Sequence, residues 1–293
     1  MRRAATAALA VAVLLTLSKG GVWLVGGSVA MMSSAMDSAL DAFASFINLL
    51  AVRHALEPAD REHRFGHGKV EPLAGLAQAA FITGSTLLLF ASGVQRLLHP
   101  HPVSHSEYGI AISVLAIVAT LCLVSYQRSV VRRTGSIAIG ADSLHYAGDL
   151  LMNGGVILSL VLSSVLGFTQ ADPLFAILVG LWMLRSVAAI FRQSFDHLMD
   201  RELPADARER IKTLARAHPA ARAIHDLRTR ASGTQTFIQF HLELDGNLTL
   251  MQAHEIADSI EAVILGEFPG AEVIIHQDPA GLPEPGTPVY PAR

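Results

Sequence analysis

Six long apolar stretches, separated by short polar segments, dominate the chain as far as residue 193. They lie at about residues 5–27, 30–54, 73–98, 108–128, 136–166 and 172–193. Each approaches or exceeds the roughly 20 apolar residues that a helix needs to cross a bilayer. The first stretch could pass for a signal peptide, but it continues past Lys19 to Met32 without a small-residue cleavage site followed by polar sequence. The pattern therefore predicts six transmembrane helices.

Near Asp200 the hydrophobic pattern changes to that of a small α+β domain. An alternating strand and a capping-box motif at the start of a helix identify two of its elements. The predicted elements, in order, are a helix at Ala205–Ala217, strands at about Ile224–Arg230 and Thr236–Leu244, a helix from Thr249 to about Glu267 and a strand at Glu272–His276. The expected domains are residues 1–199, residues 200–280 and a disordered Pro- and Gly-rich tail at 281–293.

Composition and charge agree with a membrane protein and argue against several other classes. Hydrophobic residues make up 51% of the chain and charged residues only 16%, a balance that soluble domains rarely reach. The net charge of −3 gives no basis for nucleic-acid binding. The single cysteine, Cys122, excludes an internal disulfide and a multi-cysteine metal site.

Lys and Arg are distributed unequally among the connecting segments. The segments after the second, fourth and sixth apolar stretches are basic, whereas those at about 99–107 and 167–171 contain no Lys or Arg. This asymmetry predicts that both termini are cytoplasmic. Three histidines crowd one predicted outer loop, and we interpret them as part of a solvated loop rather than a metal site: His99, His101 and His105.

Two pairs of ionisable residues lie within the apolar stretches. Asp37 and Asp41 form one pair, and His145 and Asp149 form the other. Each pair has i, i+4 spacing, so both side chains project from one helix face. Because a charge at bilayer depth is costly unless it is paired, and two carboxylates about 6 Å apart repel, a cation or a proton must share the site. Three carboxylates and one imidazole can hold a divalent transition metal.

The depths of the two pairs favour a shared site. Asp41 lies about 12 residues, or ~18 Å, from the cytoplasmic end of its predicted helix, and Asp149 lies about 13 residues, or ~20 Å, from the cytoplasmic end of its own. Alternatively, each Asp is a polar residue that holds neighbouring helices together. Two matched pairs at equal depth favour the metal site over that alternative.

Two further groups of candidate ligands lie outside the apolar stretches. The loop after the second stretch contains Asp60, His63 and His67, a set that borderline metals accept. The α+β domain contains four histidines and a carboxylate that suit Zn²⁺: His225, His241, His254, His276 and Asp278. The alternatives are a solvated polar loop and ordinary surface histidines.

Five segments together resemble the cation diffusion facilitator family: residues 37–41, 58–69, 145–149, 225–230 and 274–279. The likeness extends over about residues 5–280. The resemblance implies a homodimer in the bacterial inner membrane with six spans per subunit. It also implies a metallochaperone-like cytoplasmic domain, and exchange of cytoplasmic Zn²⁺, Cd²⁺ or Fe²⁺ for protons.

Carried over position by position, the resemblance implies three metal sites and one charge pair. Asp37, Asp41, His145 and Asp149 match the transport site, which has the zinc- and cadmium-preferring pattern. Asp60, His63 and His67 match a loop site. The binuclear site at the cytoplasmic dimer interface, where Zn²⁺ acts as a regulatory or structural ion, matches His225, His241, His254, His276, Gln277 and Asp278. Lys69 and Asp200 match a charge pair that locks the two subunits together.

The sequence therefore predicts a metal–proton antiporter that works by alternating access. One alternative is an intramembrane metalloenzyme, but the His-Glu-x-x-His motif that such chemistry commonly uses does not occur in the chain. A second alternative is a metal sensor that the apolar helices merely anchor to the membrane. The ionisable pairs at mid-depth argue against that sensor, since an anchor needs no charges.

Overall fold

The structure is a computed structural model that describes residues 1–26, 29–98, 107–166, 168 and 170–281. The three histidines of the predicted outer loop and the predicted disordered tail beyond residue 281 lie outside these described residues. All six predicted apolar stretches are helical where they are described. Their bounds are Arg2–Gly26 (α1), Val29–Ala55 (α2), Val70–Leu98 (α3), Glu107–Thr134 (α4), Ile137–Leu166 (α5) and Ala171–Leu198 (α6).

Five helices of the described chain are long and apolar enough to cross a membrane. These spans are Arg2–Val25, Met32–Ala55, Val70–Gln95, Val114–Thr134 and Ala171–Leu198. At 30 residues, α5 also has the length for a crossing, and its two charged residues, Asp142 and Asp149, both lie in its first half. The role of α5 as the sixth span stays a prediction.

Small side chains on α1 bring the helices of the first unit close together. Ala4, Ala5 and Ala8 are fully buried against neighbouring helices, and alanine allows two helix backbones to approach closely. α1 packs against α2 and α4, α3 packs against α2 and α5, and α2 also contacts α5. The two helices that carry the ionisable pairs are therefore neighbours.

A glycine of α5 leaves space for a side chain of α6 beside the predicted site. A Cβ atom at Gly148 would lie 2.5 Å from Cε of Met183, the flexible end of that side chain. A larger residue at this position, directly before Asp149, would therefore require Met183 to move.

The second compact unit, Asp196–Arg293, has its own sheet and core. Its elements are Ala205–Arg216 (α7), Ala223–Ser232 (β1), Gln235–Leu244 (β2), Leu250–Glu267 (α8) and Glu272–Pro279 (β3). The strand order is β1-β2-β3, with β1 antiparallel and β3 parallel to β2. This arrangement confirms the predicted α+β domain with helix, two strands, helix and strand.

Local sequence signals account for most of this unit. Ile238, Phe240 and Leu242 of β2 are almost completely buried, as the alternating pattern predicted. The predicted capping box is present, since the Thr249 side chain accepts a hydrogen bond from the Gln252 backbone N–H and the Gln252 side chain accepts one from the Thr249 N–H. β3 extends to Pro279 rather than ending at His276, because β2 continues to pair with it.

Candidate metal centres

Asp41, His145 and Asp149 form a compact cluster between α2 and α5. Nε2 of His145 lies 2.9 Å from Oδ1 of Asp41 and 3.7 Å from Oδ2 of Asp149. One ligand atom from each residue lies within 4.8 Å of the others, and His145 is only 4% exposed. Two oxygens and one nitrogen that converge in this way can bind a divalent cation of the zinc type.

Asp37, the fourth predicted ligand, does not belong to this cluster in the structure. It lies one turn before Asp41 on the same face of α2 and is exposed. Lys19 of α1 interacts electrostatically with Asp37, and its Nζ donates a hydrogen bond to the adjacent Ser38 Oγ at 2.8 Å. The structure therefore brings together three of the four predicted transport ligands.

A buried polar network beside the cluster was missed by the sequence analysis. Asp142 is completely buried one turn before His145, and its Oδ2 accepts a 2.6 Å hydrogen bond from Nε2 of Gln127 on α4. Ser45 of α2 is 2.8 Å from the hydroxyl of Tyr146, which also donates to the Ala8 carbonyl at 3.5 Å. These contacts fix α1, α2, α4 and α5 around the cluster. A search for every ionisable residue within the apolar stretches would have found Asp142.

The loop between α2 and α3 brings together its three predicted ligands. His63 Nδ1 and His67 Nε2 each lie 3.4 Å from an oxygen of Asp60. The Asp60 carboxylate accepts hydrogen bonds from the backbone N–H groups of His63 and Glu62, and these bonds lower the pKa of the carboxyl below its ordinary value. Gly66, with φ 72°, turns the chain between the two histidines, and their rings lie 4.6 Å apart. The carboxylate is therefore held in its charged, metal-binding form.

The sheet of the second unit aligns three of the predicted ligands in one row. His225 pairs with His241 between β1 and β2, and His241 pairs with His276 between β2 and β3. Asp278 joins them, with Oδ2 at 2.8 Å from His241 Nδ1 and Oδ1 at 3.1 Å from His276 Nε2. His225, His241 and Asp278 form another group whose ligand atoms lie within 4.8 Å of one another.

Gln277 and His254 lie away from this row in the described chain. Gln277 is paired with core residue Leu242, so the strand alternation directs it toward the helix-covered face. His254 lies on α8 and is 3.4 Å from Asp258. Asp226, which the sequence analysis did not consider, lies at the irregularity of β1 with φ 45°, and its Oδ2 is 3.9 Å from His241 Nε2. The sequence could have indicated Asp226, because this residue directly follows the candidate ligand His225.

The predicted subunit charge pair involves residues of different compact units. Lys69 immediately precedes α3, and Asp200 follows α6. Asp200 Oδ1 lies 3.4 Å from Nη1 of Arg230 within the second unit. The pairing of Lys69 with Asp200 therefore stays a prediction.

Two family models together match nearly the whole chain. The cation efflux transmembrane domain matches residues 5–199, and the cytoplasmic domain of cation efflux proteins matches residues 203–280. The chain belongs to the cation efflux family. This membership confirms the resemblance that the five motifs indicated.

Members of the cation efflux family from several bacteria are similar along most of their length. The cation-efflux pump FieF of Cronobacter sakazakii is 49% identical over 280 residues, which cover 96% of this chain and 93% of that protein. FieF of Serratia proteamaculans is 48% identical over 282 residues, covering 96% of this chain and 94% of that protein. A solved structure, the metal-bound C-terminal domain of the CzcD transporter from Thermotoga maritima, is 31% identical over 27% of this chain and 93% of that one, with a TM-score of 0.26.

As a member of the cation efflux family, the protein is a membrane transporter of metal cations. Its relatives are named as pumps rather than enzymes, which confirms the prediction of a transporter and argues against the metalloenzyme alternative. The second unit corresponds to the cytoplasmic domain of the family.

We expect replacement of both His241 and His276 by alanine to remove the zinc response of the cytoplasmic domain. Zn²⁺ that binds only the folded domain stabilises it by about 2.7 kcal/mol at 100 times its dissociation constant. For a domain of this size that corresponds to a rise of about 10–20 °C in melting temperature. The measurement is the melting temperature of residues 201–293 with and without Zn²⁺, for the wild type and the double variant.

His218→Ala serves as the control, because His218 receives a hydrogen bond from the Ala220 N–H and lies in none of the ligand groups. The control should keep the full zinc-induced rise. The full-length double variant should still transport metal, since the cluster of Asp41, His145 and Asp149 is unchanged. An equal rise in wild type and double variant would identify the two histidines as ordinary surface residues.

Proposed function

We propose that the protein exports Zn²⁺, and also Cd²⁺ or Fe²⁺, in exchange for protons, from a site formed by Asp37, Asp41, His145 and Asp149. The observation that carries this proposal is the convergence of Asp41, His145 and Asp149 between two helices that are otherwise largely apolar. Charged groups in such surroundings are costly and are typical of ion pathways.

The ligand chemistry supports a borderline metal whose binding competes with protons. Three carboxylates and one imidazole can surround Zn²⁺ tetrahedrally without a thiolate, which allows selection and also release. Protonation of His145 removes its free lone pair, and protonation of an Asp removes negative charge, so each proton weakens metal binding. If the site faces the two sides alternately, protons from outside displace metal outward and cytoplasmic metal displaces protons inward.

Asp37 is the proposed fourth ligand. It lies one helical turn from Asp41 on the same face of α2, so side-chain rotation and a small helix movement can direct both carboxylates to one ion. The electrostatic interaction of Asp37 with Lys19 gives this carboxylate an alternative partner. In this scheme, the carboxylate of Asp37 leaves Lys19 and binds the metal when an ion enters the site.

The proposed transporter has two domains in each subunit and works as a homodimer. Residues 1–199 form the transport domain, and residues 200–280 form a cytoplasmic metal-binding and dimerisation domain of a homodimer. Both termini lie in the cytoplasm, as the distribution of Lys and Arg favours. His254 completes the cytoplasmic site in the dimer, Asp60, His63 and His67 bind metal in the loop, and Lys69 with Asp200 joins the subunits. Gln277 is not among the ligands, because β3 directs it toward the helix-covered face.

Flux measurements in reconstituted vesicles test the exchange. We expect Zn²⁺ uptake into vesicles that contain a pH-sensitive dye to be accompanied by proton efflux. An acidic vesicle interior should accelerate that uptake. The membrane potential is clamped with potassium and valinomycin so that charge movement alone does not drive the flux. Zn²⁺ uptake without proton counterflow and without a response to the pH gradient would exclude the antiport mechanism.

A further inference from the structure

His67 belongs to two different groups of potential metal ligands in the loop between α2 and α3. One group is Asp60, His63 and His67, which the sequence analysis assigned. The other is His54, Glu57 and His67, whose ligand atoms also lie within 4.8 Å of one another. Nothing in the motifs pointed to His54 or Glu57.

The imidazole of His67 lies between the two groups. Its ring centroid is 4.6 Å from that of His54 and also 4.6 Å from that of His63. His67 is only 7% exposed, and its buried Nδ1 has no hydrogen-bond partner among the described residues. Because an unpaired buried polar nitrogen costs free energy, a cation bound at this nitrogen would stabilise the loop.

The second group is oriented by a close contact of its own. His54 Nδ1 lies 2.7 Å from Oε2 of Glu57, and both side chains are about half exposed, at 50% and 57%. Taken alone, this contact is an ordinary i, i+3 pair at the end of a helix. The nearby buried imidazole of His67 is what distinguishes the group from a surface pair.

We propose that His54, Glu57 and His67 form a second binding position for a zinc-type divalent cation, used alternately with Asp60, His63 and His67. Each position offers two imidazoles and one carboxylate, a set that suits borderline metals and leaves a coordination position for water. A neutral imidazole has one free lone pair, so His67 binds one ion at a time. The two positions are therefore occupied alternately rather than together.

The location of the second position relates it to transport. His54 lies in the last turn of α2, 13 residues after Asp41, so about 20 Å of the same helix separates the two. Binding at the second position places an ion at the end of the helix that carries two transport ligands. This relation to transport rests on the proposed transport site. Binding of an ion by His54, Glu57 and His67 does not depend on proton exchange.

Protection of individual histidines from chemical modification tests the inference in the full-length protein. Half-exposed histidines react with diethyl pyrocarbonate, and mass spectrometry measures the rate at each residue with and without Zn²⁺. The decisive variant is Asp60→Asn with His63→Gln, which removes the assigned position and leaves His54, Glu57 and His67 unchanged. In this variant we expect saturating Zn²⁺ to slow modification of His54 at least fivefold, as about 80–90% occupancy requires.

Two further variants distinguish this site from a surface pair. Adding Glu57→Gln or His67→Gln to the decisive variant should abolish the protection of His54, while modification of His218 stays insensitive to Zn²⁺ throughout. Rates are compared within each variant, so a change in intrinsic reactivity cancels. Glu57 is exposed, so its variant should fold even if the buried His67 variant does not. The inference is wrong if Zn²⁺ fails to protect His54 in the decisive variant, or if protection survives Glu57→Gln.

Discussion

Replacement of Asp149 by alanine should reduce Zn²⁺ transport to the level of protein-free vesicles, and Asp41→Ala should do the same. Each change removes a charged ligand from the cluster in which His145 Nε2 lies 2.9 Å from Asp41 and 3.7 Å from Asp149. Loss of a residue that only orients a ligand weakens metal binding about 10–100-fold, so loss of a direct ligand should cost more. Removing a carboxylate from an apolar helix also lowers the cost of membrane insertion, so the protein should still be made and inserted.

The measurement is the initial rate of Zn²⁺ uptake into vesicles that contain equal amounts of each protein. Asp206→Ala is the matched control, because it removes an exposed carboxylate from α7, outside every candidate site. This control should transport at the wild-type rate. Gel filtration in detergent verifies that each variant is monodisperse. Wild-type flux from either Asp41→Ala or Asp149→Ala would refute the assignment of the transport site.

Replacement of His145 by aspartate should shift the selectivity of transport from Zn²⁺ toward Mn²⁺. His145 supplies the only nitrogen among the four proposed transport ligands, and nitrogen ligands favour Zn²⁺ whereas carboxylates suit harder ions. With four oxygens, the ratio of Zn²⁺ to Mn²⁺ uptake should fall by about an order of magnitude. The shorter aspartate side chain leaves space in the buried pocket of His145, beside Phe81 and Tyr146.

Competition between the two metals in the same vesicle preparation measures this ratio directly. His145→Gln is the matched control, since it removes the imidazole without adding a charge. It should lose Zn²⁺ transport without gaining Mn²⁺ transport. If the ratio in His145→Asp equals that of the wild type, His145 is not the selectivity element.

Local sequence patterns were sufficient to predict most of the elements. The apolar stretch predicted at 136–166 is a helix at Ile137–Leu166, and the helix predicted from Thr249 begins with the capping box that its motif specified. These predictions succeed because helix and strand periodicity and helix caps involve residues within a few positions of one another. The end of β3 was missed because continued pairing with β2 extends the strand past His276.

The candidate ligands were also recognisable as chemical types, because ionisable residues within apolar stretches and clustered histidines are visible in any sequence. The i, i+4 spacing placed His145 and Asp149 on one face of a helix, and the chain could reveal that much by itself. It could not show that Asp41 lies with these two residues while Asp37, only one turn away, interacts with Lys19. That difference depends on how α1, α2 and α5 pack.

The sequence by itself determined the helices and strands and the carboxylates and histidines that are candidate ligands. Through its motifs, it also determined the family. The depths of the two ionisable pairs favoured a shared site, but only tertiary structure decided which of the predicted ligands meet. His225, His241 and His276 form one row because strand register aligns them, and His54 joins His67 because the loop folds back on the end of α2. Elements follow from interactions between near neighbours, whereas sites require residues far apart in the chain to meet, and only packing and register bring them together.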